Sequence, residues 1–278
     1  MPGFTVEVRG CRGSVPVSGP AFHGYGGATT CFEIELSENH RLLIDAGTGA
    51  LAIPPTLPPG PMRFSVVFTH LHWDHCLALP FFGPLYDPAN RFDFYGREVG
   101  HMDIEEAIDR VMRPPWFPVN FRSTPATKRF HHIADGSVFE IEDVRIEAVG
   151  LHHPDGVTGY RITWNEASLV IATDVEHGVP ESDRALLELA AGADVLFYDA
   201  QYLPQEYLDR KVGWGHSTWE QAAALAQAAG VGSLVLTSHD PLRSDREIDA
   251  LVAQAREVFP STQAATEGTS VRVAPRVS

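Results

Sequence analysis

The sequence predicts an α/β protein folded as an αββα sandwich: two mixed β-sheets face to face, with helices on the outside. Three observations predict it. The amino-terminal half alternates short β-type runs with glycine and proline punctuation, and the carboxy-terminal half alternates helical and strand runs. With 278 residues and 44% hydrophobic content, the chain can bury one large core, so residues 1–278 are read as a single domain. Two halves rich in βα units each present an apolar sheet face, and stacking those faces buries both.

The elements follow in order. Residues 4–9, 31–36, 41–45 and 65–69 are short apolar runs rich in β-branched and aromatic residues, and read as strands. Pro54 to Pro61 is a proline-rich loop to which no chemistry is assigned. Residues 83–132 read as an insertion, with a helix expected over 101–112 and then Arg113-Pro114-Pro115-Trp116-Phe117-Pro118-Val119. Prolines and large aromatics cannot continue that helix. The stiff apolar segment 114–119 suits a flap beside a site or a homodimer contact, because exposed apolar patches are otherwise costly. His131 and His132 read as surface residues. Helices are expected over 181–191, 218–229 and 244–258, with strands over 195–198 and Ser233–Thr237 between them. The alanine run at 222–226 is read as helix packing, and Gly230 as the stop of its helix.

Composition narrows the setting. No stretch approaches the roughly 18 uninterrupted apolar residues of a membrane span. The first residues lack a basic region followed by a long apolar one, and the three cysteines are odd in number and widely spaced. A reducing cytoplasm is therefore expected. Lys plus Arg number 21 against 36 Asp plus Glu, a net charge of −15 with no basic run. On that balance a long nucleic acid is expected to be an unfavourable partner.

The chemistry concentrates in His70-Leu71-His72-Trp73-Asp74-His75, which follows the apolar run at 65–69. Four potential ligands thus sit where a strand ends and a helix should begin. His70 and His72 are two apart, so extended backbone points both to one side, and Asp74 and His75 turn toward a second position. Imidazole plus carboxylate suits zinc, manganese or non-haem iron and leaves coordination sites open. Cys76 beside this cluster is read as a small buried apolar residue.

This H-x-H-x-D-H pattern at a strand end resembles the signature of the metallo-β-lactamase superfamily. Further segments match in order: His152-His153-Pro154, where the phosphodiesterase branch's ligand before proline implies His153; Asp174 after the run 168–173; and His239 after the run 234–238. The resemblance implies two divalent metal ions. His70, His72, His153 and Asp174 would surround one, and Asp74, His75, Asp174 and His239 the other. Asp45-Ala46-Gly47-Thr48-Gly49 resembles the family's D-x-G-[ST]-G turn, in which Asp45 would fix a ligand histidine's tautomer. Tyr25-Gly26-Gly27-Ala28-Thr29-Thr30-Cys31 is similar to Y-G-G-N-T-S-C, with Ala28 in the place of asparagine.

Gly215-His216-Ser217-Thr218 resembles the H-[ST]-T element of the ribonuclease Z and cyclic-nucleotide phosphodiesterase branch. It implies that His216 acts on the phosphate and that Asp199, standing where ribonuclease Z has glutamate, orients it. The plain alternative is a helix-entry segment capped by Ser217 or Thr218. The implied reaction is hydrolysis of a small phosphodiester, such as a 3′,5′-cyclic nucleotide, by a hydroxide shared between the ions and oriented by Asp74. Three alternatives remain. A tRNA 3′-processing endoribonuclease shares the site but needs a basic arm or patch. A lactone or β-lactam hydrolase should not need His216. The family's non-hydrolytic di-iron proteins typically carry glutamate where this chain has His72.

Overall fold

The computed structural model describes residues 2–276. Strands β1 (Phe4–Gly10), β2 (Cys31–Ser37), β3 (His40–Ile44), β4 (Arg63–Val67), β5 (Arg91–Gly96) and β6 (Thr127–His132) form one sheet. A second sheet contains β7 (Val138–Ile141), β8 (Val144–Leu151), β9 (Val157–Trp164), β10 (Ala167–Ala172), β11 (Val195–Asp199), β12 (Ser233–Thr237) and β13 (Thr262–Ala264). The last strand, β14 (Thr269–Val273), returns to pair with β1. Each sheet is mixed. In the first, β14, β1, β2 and β3 pair antiparallel, and β3 to β6 run parallel. In the second, β7 to β10 pair antiparallel, and β10 to β13 run parallel.

Side-chain alternation explains the layers. On β1, Phe4, Val6 and Val8 point into the space between the sheets and the residues between them point out. Strand β10 is buried at all six residues. Leu169 and Ile171 face the other sheet while Val170 and Ala172 face the helices, which is why this run reads as continuously apolar. Phe32 and Phe197 meet edge-on across the inter-sheet core, their ring centroids 4.9 Å apart. Phe197→Ala is expected to destabilise the fold by about 3–5 kcal/mol, as buried aromatic truncations do, and urea denaturation checks this.

Among the described residues, six α-helices flank the sheets: α1 (Trp73–Cys76), α2 (Ile104–Val111), α3 (Pro180–Ala190), α4 (Pro204–Arg210), α5 (Trp219–Ala229) and α6 (Asp245–Val258). Helices α3, α5 and α6 bury their apolar faces on the second sheet. Thr218 caps α5 by accepting from Gln221 N, and Gly230 ends it at φ 63°, a left-handed conformation that favours glycine. The helix expected over 101–112 is shorter. Asp103 caps it by accepting from Glu106 N at 2.8 Å, so it begins at Ile104. Helix α4 is an addition to the sequence reading. Among the described residues, no helix is long and apolar enough to cross a membrane.

Candidate metal centre and active site

Every predicted site residue except His216, which lies on the loop between α4 and α5, sits at or just after the carboxy-terminal end of a strand. Asp45 follows β3, the His70–His75 segment follows β4, His153 follows β8, Asp174 follows β10, Asp199 ends β11 and His239 follows β12. Three of these junctions carry non-glycine residues in the left-handed region: Asp45 (φ 63°), Asp174 (φ 53°) and Ser238 (φ 56°). Such backbone costs on the order of 1–3 kcal/mol per residue and is held only where the surroundings impose it. Here it turns the chain sharply off the strand.

Among the described residues, three groups of donor atoms result, two of them among the expected ligands and a third formed by Asp174, Asp199 and His216. Nitrogens of His70, His72 and His153 lie within 4.8 Å of one another, as do donor atoms of His70, His75 and Asp174. His72 Nδ1 and His153 Nε2 stand 3.1 Å apart. His75 Nε2 is 3.3 Å from both Asp74 Oδ2 and Asp174 Oδ2. The outer nitrogens are fixed from behind. Asp45 Oδ2 accepts from His75 Nδ1 at 2.7 Å, and Gly215 O accepts from His153 Nδ1 at 2.6 Å. The inner nitrogens of His70 and His75 are buried with no hydrogen-bond partner among the described residues. Buried imidazole nitrogens without partners, aimed at carboxylates, fit a set of metal ligands.

The electrostatics agree with a site that needs cations. Burial pushes His153 down to about 4 and His70 well below its usual value, so both are neutral, the form that binds metal. Burial also disfavours a charge on His75, but Asp174, Asp74 and Asp45 outweigh it and hold this imidazole well above its usual range. Three carboxylates thus demand positive charge at one point. His239 stands slightly apart: its Nε2 donates to Ala265 O at 3.0 Å, and its buried Nδ1 has no partner. Among the described residues it joins none of the three-ligand clusters, although a free ring nitrogen remains.

A second arrangement adjoins the first. Asp199 Oδ2 accepts from His216 Nδ1 at 2.7 Å, so aspartate reaches the histidine. Asp199 is itself held by the backbone nitrogens of Ser217, Gln201 and Asp174. His216 Nε2 faces Asp174 Oδ2 at 3.9 Å. Burial opposes the His216 cation, but Asp199 and Asp174 overcome this and raise it to about 9. The ring therefore favours its protonated form beside the donor clusters. Thr218 caps the helix, as the plain reading of this segment expects, and His216 beside it pairs with Asp199.

Sequence reasoning did not find Glu176. This carboxylate, 3% exposed, accepts from Tyr207 Oη at 2.9 Å, Gly213 N at 2.6 Å and Gly215 N at 2.7 Å. It clamps the loop that carries His216 and the carbonyl that orients His153. Gly215 must be glycine: at φ 85°, an added Cβ would lie 2.3 Å from His153 Nδ1. Glu176→Ala strands three donors, two of them buried, and is expected to cost about 2–4 kcal/mol with a loss of turnover; thermal unfolding and kinetics check this. Glu176→Gln, which keeps one acceptor oxygen, should lose less of both.

Other expectations meet mixed outcomes. Ala28 contributes only backbone groups here, its nitrogen donating to Glu267 Oε2 and its oxygen accepting from Cys11 N and Arg12 N. The segment 114–119 does not line the cavity over the donor clusters, which Trp73, Asp74, His153, Tyr202 and His216 help to form. Instead Phe117 packs on Phe81, ring centroids 5.4 Å apart, and Trp116 is 76% exposed, so the flap reading is withdrawn. His131 is less exposed than expected, stacked on Tyr95 at 4.3 Å and paired to Asp93.

A family model described as a beta-lactamase superfamily domain matches residues 40–239, the span that holds all these strand ends. The chain belongs to the metallo-β-lactamase superfamily, on its ribonuclease Z-like branch. This superfamily member is 30% identical over 224 residues to ribonuclease Z of Mycolicibacterium gilvum, covering 72% of this chain and 74% of that one. Ribonuclease BN of Erwinia tasmaniensis is 25% identical over 296 residues, covering 87% and 89%. A match to ribonuclease Z of Brevibacillus brevis is 39% identical but spans 34% of this chain and 31% of that one. Among solved structures, the short form of human tRNase Z superposes with a TM-score of 0.67 at 20% identity, covering 96% and 98%. A diphosphatase from the PhnP family gives 0.70 at 20% identity, covering 98% and 99%.

These relatives correct one expectation. Long nucleic acid cannot be set aside as a partner of this superfamily member, because relatives matching most of the chain are named ribonucleases. The error has a physical cause. Net charge is a sum over the whole molecule, whereas contact with a phosphate chain is decided by the few groups that line its path.

Proposed function

We propose that the protein is a phosphodiester hydrolase working with two divalent cations, most simply zinc given the imidazole–carboxylate donors. One cation would be held by His70, His72, His153 and Asp174, the other by Asp74, His75, Asp174 and His239 through its free Nδ1. When bound, such a pair activates water and offsets the charge of a phosphoryl group. The observation that carries the reading is the Asp199–His216 pair, bonded at 2.7 Å and facing the same carboxylate as the donor clusters.

The protein's own groups divide the work. Asp74 Oδ2, steadied by Ser14 N at 2.7 Å, would accept a hydrogen bond from the attacking water and set its direction. His216 would donate its Nε2 proton to a phosphoryl oxygen or to the departing oxygen. Asp199 retains the Nδ1 proton and supports the cation until that moment. Glu176 keeps His216 and His153 in register.

A 3′,5′-cyclic nucleotide and an RNA chain both present the required diester, and the ribonuclease relatives favour the RNA. A panel of precursor tRNA, cyclic nucleotides, a lactone and a β-lactam tests the assignment. Cleavage of at least one phosphodiester, dependent on His216, is expected. Fast lactone or β-lactam hydrolysis that survives His216→Ala, without phosphodiester turnover, would overturn it.

A further inference from the structure

The cavity over the metal centre does not end there. Its volume is about 690 Å³, and a second cavity of about 480 Å³ adjoins it. Lys211, Trp214, Asp240 and Leu242 line both, and Arg210 lies on the far side with Glu247 and the paired Arg243 and Glu206. A substrate that filled only the metal centre would not reach the second cavity. A chain continuing past its scissile phosphate would cross Trp214 and Lys211.

Three features of this crossing point to a ligand. Trp214 is 58% exposed, yet its loop is rigid, since Glu176 clamps the backbone nitrogens of Gly213 and Gly215 on either side. Lys211 Nζ lies over one face of the indole at 3.9 Å from the ring centroid and 5.0 Å from that of Tyr202, so a base would stack on the opposite face of Trp214. Among the described residues, neither Lys211 nor Arg210 has a carboxylate within 4.0 Å, in a chain whose net charge is −15. A held, exposed aromatic face beside two cations that lack a carboxylate partner matches a nucleobase and its neighbouring phosphate.

We propose that Trp214, Lys211 and Arg210 form a subsite for the nucleotide next to the scissile phosphate, so that the substrate is an oligonucleotide chain. The base stacks on Trp214 and the next phosphate meets Lys211 and Arg210. Trp214 precedes His216 by two residues on one loop, which places the subsite on the side where the proton is delivered. This rests on the phosphodiesterase reading for its catalytic meaning, but binding tests it separately.

The test uses the metal-loaded protein and a hydrolysis-resistant phosphorothioate hexaribonucleotide, with affinity followed by fluorescence anisotropy at several salt concentrations. Trp214→Ala should weaken binding roughly 5- to 150-fold, the loss of one base stack, and Trp214→Phe should restore most of it. Lys211→Ala should flatten the salt dependence by about 0.7 in log–log slope, the share of one single-strand phosphate. Trp214→Ala affinity within twofold of the parent, an unaltered slope for Lys211→Ala, or metal lost from Trp214→Ala would each overturn the subsite. Methyl p-nitrophenyl phosphate turnover by the parent protein is measured on the same sample. Its absence would sink the phosphodiesterase reading, while the binding data would still decide the subsite.

Discussion

His216→Ala is expected to lower phosphodiester turnover roughly 10²–10⁴-fold while metal content stays the same, the usual size of a positioned proton donor's contribution. The separation between the two readouts is the point of this variant. His216 spends Nδ1 on Asp199, so only Nε2 faces the metal pocket, at 3.9 Å from Asp174. A substrate whose leaving group is acidic, such as p-nitrophenolate, needs little protonation and should lose less than an alkoxide-leaving nucleotide. Asp199→Asn should reproduce part of the loss, because the amide no longer supports the imidazolium. If metal stoichiometry, measured by plasma mass spectrometry, falls with His216→Ala, then His216 is a ligand and the division of roles is wrong.

Asp174→Ala is expected to be the most damaging single substitution at the site, removing turnover and at least one metal equivalent. Its carboxylate lies 3.3 Å from His75 Nε2 and 3.9 Å from both His70 Nε2 and His216 Nε2, at the junction of all three groups. Burial alone would favour its neutral form, but His75 and His216 outweigh this and hold it well below the usual carboxylate range. Among the described residues, no other carboxylate stands between the two ligand sets in this way. The sandwich should survive, because the inter-sheet core is made of apolar residues from both sheets and owes nothing to Asp174. Native circular dichroism together with two bound metal equivalents in this variant would refute the bridging role.

Much of this site was legible because its residues follow strands. An apolar run ending in a histidine or aspartate announces both the strand and the side chain at its tip, as with β4 before His70 and β10 before Asp174. The sandwich was legible for a related reason: β10 is apolar on both faces because it is covered on both. Glu176 was not legible. Its partners are backbone nitrogens at 213 and 215 and a tyrosine at 207, and no periodicity links a carboxylate to amides that distant in sequence. Helix α4, only seven residues long, gave no repeating pattern, and with it went Arg210 and Lys211. Lys211 lines the cavity over the donor clusters and Arg210 the one that adjoins it, a local arrangement that whole-chain charge does not report. The flap expectation failed because stiffness and apolarity say that a segment will pack, not where. Phe117 found Phe81.

In the function proposed above, this chain uses a pair of divalent cations to cleave phosphodiesters. The most direct test is bis-p-nitrophenyl phosphate turnover by protein stripped with chelator and then titrated with zinc, manganese or iron. Turnover should be absent in the stripped protein and rise to a plateau near two equivalents of at least one metal. Protein that binds two equivalents of each metal yet stays inert toward this ester, or that cleaves it fully while stripped, would contradict the account.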